Sequence, residues 1–198
     1  MKTLIIIPSR LSATRLPGKP LLKINGLSMI SHVFKKAEKA NIGDVFVATE
    51  DQEIIEDVTK NGGQAILTSK QNKTGTDRIY EAIKKLDRKD IDLVMNLQGD
   101  EPMMNVDDII KLNTQMIEKR SNLGTLGSDA LDKNIYNNEN IVKVITRENL
   151  NKSTFSEAID FKRRIVSESD NIYHHLGIYC YELEILKKFV SFKQSENE

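Results

Sequence analysis

The sequence predicts an α/β fold: a mainly parallel sheet flanked by helices, with an antiparallel extension. Three observations predict it. Residues 1–120 alternate apolar, β-branched runs with stripes at helical spacing. The opening run, Thr3 to Ile7, is continuously apolar or β-branched, as in a strand covered on both faces. From about 121 onward strand-like runs follow one another through polar, Asn-rich loops without helices between them.

The elements follow in order. After the first strand, residues 28–40 place Met29, Ile30, Val33, Phe34 and Ala37 on one helical stripe, with Ser28 as N-cap. Asp44 to Thr49 is the next strand. Residues 51–60 carry Ile54, Ile55 and Val58 at helical spacing, and Asn61-Gly62-Gly63 stops that helix. Ala65 to Leu67 is a short strand. Asp77 to Leu86 is a helix with Ile79, Ala82, Ile83 and Leu86 on one side. Ile91 to Leu97 is a strand and 105–119 a helix. Further strands are expected at Leu123–Leu131, Asn140–Thr146, Ser153–Ile159 and Tyr173–Tyr181, with a helix at 182–190. Strand–helix alternation implies parallel strands joined by right-handed crossovers. Ligands of such sheets sit beyond the carboxyl ends of the strands. The positions to watch are those just after Ile7, Thr49, Leu67 and Leu97.

Composition excludes several classes. Lys plus Arg number 29 and Asp plus Glu 29, so charge balance points to neither nucleic acid nor an acidic membrane surface. No run approaches the ~18 apolar residues of a membrane span, and Leu4 to Ile7 is too short for a signal-peptide core. One cysteine, Cys180, rules out an intrachain disulfide and reads as a buried core residue. The expectation is a cytoplasmic protein.

The loop Pro8 to Pro20 places Arg10, Arg15 and Lys19 within ten residues, with Ser9, Ser12, Ala13 and Thr14 between them and Gly18 before the lysine. Small residues let backbone N–H groups approach a triphosphate, and fixed cations offset its charge. Arg suits bidentate phosphate contact, and Lys acts as a point charge. The alternative is a solvated basic loop. Position behind a buried first strand favours phosphate binding. The pattern is neither Gly-x4-Gly-Lys-Ser/Thr nor Gly-x-Gly-x2-Gly.

Asn96 to Pro102 ends a strand in Gln98-Gly99-Asp100-Glu101. Asp100 is placed to hold Mg²⁺, which takes one or two carboxylates plus substrate phosphates. The alternative is a turn with solvated acids. Thr74 to Arg78 opens a helix in which Thr76 is a candidate N-cap, Gly75 lets a flat group approach, and Arg78 is placed to clamp a carboxylate. Helix capping explains most of this segment equally well. In His174 to Tyr181, alternation puts His175, Gly177 and Tyr179 on one face and His174, Leu176, Ile178 and Cys180 on the other. Adjacent histidines on opposite faces do not chelate one metal. The first face suits either a sugar or a half-buried core. His32 reads as structural, and Lys162 to Arg164 as a solvated loop.

In this order the motifs resemble those of the cytidylyltransferases of 3-deoxy-manno-octulosonate (Kdo). That family carries Pro-Ala/Ser-Arg, a small-residue stretch and Thr-Arg-Leu-Pro-Gly-Lys-Pro, matched by Pro8 to Arg10 and Thr14 to Pro20. Its Ser-Gly-Thr-Glu/Asp-Arg, Val-Gln-Gly-Asp-Glu-Pro and His-Leu-Gly-Ile-Tyr motifs are matched by Thr74–Arg78, Leu97–Pro102 and His175–Tyr179. The resemblance implies one nucleotidyltransferase domain of the nucleotide-diphospho-sugar transferase type over 1–198. Residues 1–120 would be its nucleotide-binding half and 121–198 its sugar-binding and dimerisation half.

The resemblance also implies transfer of CMP from CTP to Kdo with release of pyrophosphate, for lipopolysaccharide biosynthesis, with Mg²⁺ as cofactor and a homodimer as assembly. Nucleic acid and membrane are not expected partners. Arg10, Lys19 and Asp100 would be catalytic, with Asp100 on the metal. Pro8, Ser9, Arg10, Ser12, Lys19, Thr74, Gly75 and Thr76 would bind the nucleotide. Arg78, Gln98, His175 and Tyr179 would line the sugar-acid pocket.

The chain departs from the family in three places. Ser12-Ala13 stands where Ala-Ser is usual, and Phe155-Ser156-Glu157 where Phe-Ser-Arg is usual. Members also run on beyond the position of Glu198 into a helix and a second metal-binding aspartate, so the chain is expected to be C-terminally short. Two other readings compete: a cytidylyltransferase for another acidic sugar of the sialic-acid type, and a catalytically impaired nucleotide-binding fragment.

Overall fold

A computed structural model describes residues 1–12, 16–129, 138–153, 155–165 and 171–192. The chain forms two compact units: Met1–Gly124 together with the stretch from Ile178 onward, and Thr125–Gly177. The C-terminal part of the last strand and the last helix thus belong with the N-terminal unit.

In the first unit, β1 (Thr3–Ser9) is central, and Leu4 to Ile7 are each 0% exposed. Parallel β4 (Gly43–Thr49) lies on one side, with Ser9 opposite Thr49. Parallel β6 (Leu93–Asn96) lies on the other, with Ile6 opposite Asn96. β5 (Ala65–Leu67) extends the sheet beyond β4, again in parallel. The C-terminal part of β10 (Ile172–Glu182) pairs antiparallel with β6, Tyr179 facing Asn96. All four parallel strands therefore deliver their carboxyl ends to one edge of the sheet.

The crossovers are helices with one apolar stripe each, as the periodicity predicts. α1 (Met29–Lys39) buries Ile30, Val33, Phe34 and Ala37, and Ser28 caps it by accepting the Ser31 N–H at 3.2 Å. α2 (Gln52–Lys60) buries Ile54 and Val58 and is stopped by Gly62 at φ 84°. α3 (Gly75–Leu86) buries Arg78, Ile79, Ala82 and Ile83. α4 (Val106–Lys119) and α5 (Leu183–Val190) complete the set. Leu4, Ile6, Ala48 and Val94 pack with Ile79, Ala82 and Ile83 of α3, Tyr181 and Leu186 in one core. Cys180 is fully buried and unpaired, as expected, and burial pushes its thiol up to about 12. No described helix is long and apolar enough to cross a membrane.

A hairpin not anticipated from the sequence joins β1 to α1. β2 (Lys23–Ile24) and β3 (Leu27–Ser28) flank Asn25 and Gly26, at φ 50° and 84°. Asn-Gly is a strong two-residue turn signal, but strands of two residues leave no alternation to read. His32 is structural, its Nε2 lying 2.7 Å from the Ile24 carbonyl oxygen of this hairpin.

In the second unit, β8 (Lys143–Thr146) pairs antiparallel with β10 and with β9 (Ala158–Lys162). Lys143 is 0% exposed; its Nζ donates to the carbonyls of Asn138, Ile141 and Arg163 at 2.7, 3.0 and 2.6 Å. The expected strand at Ser153–Ile159 is displaced to Ala158–Lys162. The cause is local: Lys152 and Ser153 donate their N–H groups to Asn149 O, and Ser156 Oγ accepts the Glu148 N–H. Such bonds compete with strand pairing. The strand expected at Leu123–Leu131 is β7 (Leu123–Ser128), and its last two positions lie outside the described residues.

Candidate functional site

The exits of β1, β5 and β6 surround a cleft of about 380 Å³. Its first wall is Pro8, Ser9 and Arg10 with Lys19 and Pro20 across the loop. Gly18 takes φ 71° to start the 3₁₀ turn Lys19–Leu21, and its N–H donates to Leu11 O at 3.1 Å, closing the loop on itself. The Leu11 N–H in turn donates to Asp51 Oδ2 at 2.7 Å. Ser9 is 8% exposed, and its Oγ has no hydrogen-bond partner among the described residues. A buried hydroxyl of this kind suits a bound polar group.

The second wall is Asn72, Lys73, Thr74, Gly75 and Arg78. Thr74, not Thr76, is the N-cap of α3: its Oγ1 accepts the Asp77 N–H at 3.1 Å, and Asp77 Oδ2 accepts the Thr74 N–H at 3.1 Å. Asp77 falls three residues after Thr74, which completes a capping box that Thr76 has no means to form. A Cβ on Gly75 would meet Pro8 Cγ at 3.5 Å, so α3 begins directly against the end of β1. Glu81 holds the preceding loop, accepting from Asn72 Nδ2 at 2.6 Å and from the Ser69 N–H at 3.0 Å. Burial disfavours its charge, yet the bonds from Asn72 and Ser69 and the pair with Lys85 lower its pKa to about 2.

Arg78 is 3% exposed. Its Nη1 donates to Thr68 Oγ1 at 2.6 Å, and its Nη2 pairs with the Glu50 carboxylate. The floor is Gln98, Gly99 and Asp100. A Cβ on Gly99 would come within 3.0 Å of Pro8 O, so the exits of β6 and β1 pack at a distance that glycine permits. Lys19 Nζ donates to Asp100 Oδ2 at 2.7 Å across the cleft.

One cleft therefore gathers Pro8, Ser9, Arg10, Lys19, Thr74, Gly75, Arg78, Gln98 and Asp100. Ser12 is exposed and lies off its lining; Arg15 falls outside the described residues. Thr76 is hydrogen-bonded to Tyr181, whose hydroxyl burial pushes up to about 12. Tyr179 lies beside Tyr181, tilted at 6.0 Å between ring centroids, and is not among the residues that line the cleft. His175 belongs to the second unit, with Nε2 3.0 Å from Thr125 Oγ1 and Phe161 edge-on at 5.1 Å. Burial lowers its pKa.

Sequence motifs did not single out Glu50, Asp51, Thr68, Asn72, Lys73 or Glu81. The strand-exit rule did point to the positions after Thr49 and Leu67, where Glu50, Asp51 and Thr68 stand.

Asp100 offers an oxygen donor at the edge of the cleft, with its side chain 52% exposed. Among the described residues no group of three or more His, Cys, Asp or Glu side chains forms a complete metal cage. That donor set fits magnesium completed by substrate phosphates.

The sequence model of the cytidylyltransferase family matches residues 4–198. The 3-deoxy-manno-octulosonate cytidylyltransferase of Rhodopseudomonas palustris is 40% identical over 199 residues, spanning 100% of this chain and 80% of the relative. A solved structure of CMP:2-keto-3-deoxy-manno-octonic acid synthetase complexed with CTP matches with a TM-score of 0.87 at 33% identity, over 99% of this chain and 80% of that one. The 4-diphosphocytidyl-2C-methyl-D-erythritol synthase of Anaerococcus prevotii shares the fold, with a TM-score of 0.64 at 14% identity over 100% of this chain and 80% of its own. The chain belongs to the cytidylyltransferase family of nucleotidyltransferases, and within it to the 3-deoxy-manno-octulosonate branch.

Proposed function

We propose that the chain transfers CMP from CTP to 3-deoxy-D-manno-octulosonate, releasing pyrophosphate, as a step of lipopolysaccharide biosynthesis. The carrying observation is the convergence of Arg10, Lys19 and Asp100 with the glycines Gly75 and Gly99 on one cleft. The similarity to relatives that carry this activity in their names, and to a synthetase complexed with CTP, supports the choice of substrates.

In this reading the anomeric 2-hydroxyl oxygen of the sugar acid attacks the α-phosphorus in line and releases its proton to solvent. The bond from that phosphorus to the oxygen bridging toward the β-phosphate breaks, and pyrophosphate leaves with the electron pair. No covalent enzyme intermediate forms. The residues act by positioning and charge compensation. Arg10 and Lys19 hold the triphosphate, Thr74 to Thr76 face the nucleoside, and Ser9 offers its buried hydroxyl. Gln98 and Arg78 edge the space for the sugar acid. Asp100 would hold Mg²⁺, which when bound offsets phosphate charge.

The assembly in this reading is a homodimer in the cytoplasm. Exposed Ile159 and Phe161 on β9, the last strand in its sheet order, support a second copy as partner. Light scattering at micromolar concentration tests it; a monomer refutes it.

The direct test is pyrophosphate release by the purified chain with CTP and Kdo, with N-acetylneuraminate in a parallel arm and EDTA in a third. Release that requires Kdo and is abolished by EDTA is expected. Release with the neuraminate instead would transfer the assignment to sialic acids, and CTP binding without release would leave only a nucleotide-binding protein.

A further inference from the structure

Glu50 and Asp51 form the turn between β4 and α2, and neither lines the cleft. Each carboxylate nevertheless holds one of its walls. Glu50 pairs with Arg78 in the second wall. Asp51 accepts the N–H of Leu11, the residue after Arg10, at 2.7 Å.

Asp51 is the N-cap residue of α2, a position whose side chain ordinarily accepts from its own helix. Here it makes no such bond. Its backbone N–H donates to Thr49 Oγ1 at 3.1 Å, while its carboxylate reaches to the loop instead. The carbonyl of the same Leu11 accepts the Gly18 N–H at 3.1 Å. Leu11 is therefore tied on both sides: backward to Asp51, forward to the residue preceding Lys19. One carboxylate, anchored at the exit of β4, fixes the chord from which both Arg10 and Lys19 depart.

A carboxylate near a triphosphate opposes the ligand through space, so its value here must come from what it holds. A charge-assisted bond to a loop N–H pre-orders the loop, and pre-ordering removes entropy that the ligand would otherwise have to supply.

We propose that Asp51 is a positioning residue for the nucleotide's phosphates, acting through the Leu11 N–H on the loop that bears Arg10 and Lys19. The proposal rests on the cytidylyl-transfer reading above.

The experiment compares Asp51→Ala and Asp51→Asn with the wild-type chain by CTP calorimetry, steady-state kinetics and amide exchange at Leu11. Asp51→Ala is expected to weaken CTP binding and raise KM for CTP about tenfold, with kcat at saturating CTP within about threefold. Leu11 exchange should accelerate. Asp51→Asn keeps an oxygen acceptor and sheds the charge, so it should bind CTP within about threefold of wild type. A lower melting temperature in Asp51→Ala with unchanged CTP affinity would mean a merely structural residue and overturn the proposal. So would an Asn variant as impaired as the Ala variant. A wild-type chain that binds no CTP would overturn the cytidylyl-transfer reading itself, and this proposal with it.

Discussion

The ammonium of Lys19 donates to the Asp100 carboxylate at 2.7 Å, linking the loop after β1 to the exit of β6 across the cleft. Both side chains remain partly exposed, at 32% and 52%, so the pair itself is worth only about 0–1 kcal/mol to the fold. Weak mutual attachment suits two groups that the proposed reaction gives other partners. A phosphate would take the ammonium and magnesium the carboxylate.

Substitutions at this pair should therefore affect ligands far more than stability. Lys19→Met is expected to weaken CTP binding about 10- to 100-fold. Asp100→Asn should lower turnover about 100- to 1000-fold with magnesium present. In both variants the unfolding free energy should stay within about 1 kcal/mol of wild type by urea titration. An Asp100→Asn enzyme with full turnover would remove the metal role.

The Glu50–Arg78 pair should behave in the opposite way. Both side chains are largely buried, at 12% and 3% exposure, and Arg78 also donates to Thr68. Removing one partner leaves a buried charge without compensation. Glu50→Gln is expected to cost about 3–5 kcal/mol of stability, read from urea midpoints. A loss below about 1 kcal/mol would show that water or another group satisfies Arg78.

Acid should loosen the loop before α3 in a defined window. The pKa of Glu81 lies near 2 in the folded chain, below its ordinary value of 4.5. A carboxylate with a lowered folded pKa contributes stability above its unfolded pKa and loses that contribution as pH falls toward the folded value. The stability difference between wild type and Glu81→Gln should be constant from pH 7 to about 5.5 and shrink steadily between about 4.5 and 2. Denaturation curves at several pH values measure it. A difference unaffected by pH would assign the effect to the amide's geometry instead.

Cys180 should be chemically silent. Burial pushes its thiol up to about 12, so at pH 8 about one molecule in ten thousand carries a thiolate, and that one is screened from reagent. Iodoacetamide is expected to label the chain only after denaturation. Rapid labelling of the native chain would show that β10 opens.

Much of the first unit was legible because its signals are local. The apolar run of β1 and the stripes of α1, α2 and α3 reflect periodicities of a few residues, and so does the Ser28 cap. The Thr74 capping box was equally local, with its partner at Asp77, yet Thr76 competed with it on residue type alone. The antiparallel strands were harder. Ser153, Ser156 and Asn149 divert backbone groups into turns, which moves the start of β9 beyond Ser153.

By itself the sequence determined that strands and helices alternate, that a cationic loop follows the first strand and that a carboxylate follows β6. Each of these is a property of neighbouring residues. Only the tertiary structure decided which groups meet. Arg78 and Glu50 lie 28 positions apart, Leu11 and Asp51 40, and Lys19 and Asp100 81. The parallel register of β4, β1 and β6 brings those pairs together, and no pattern within a single segment encodes it.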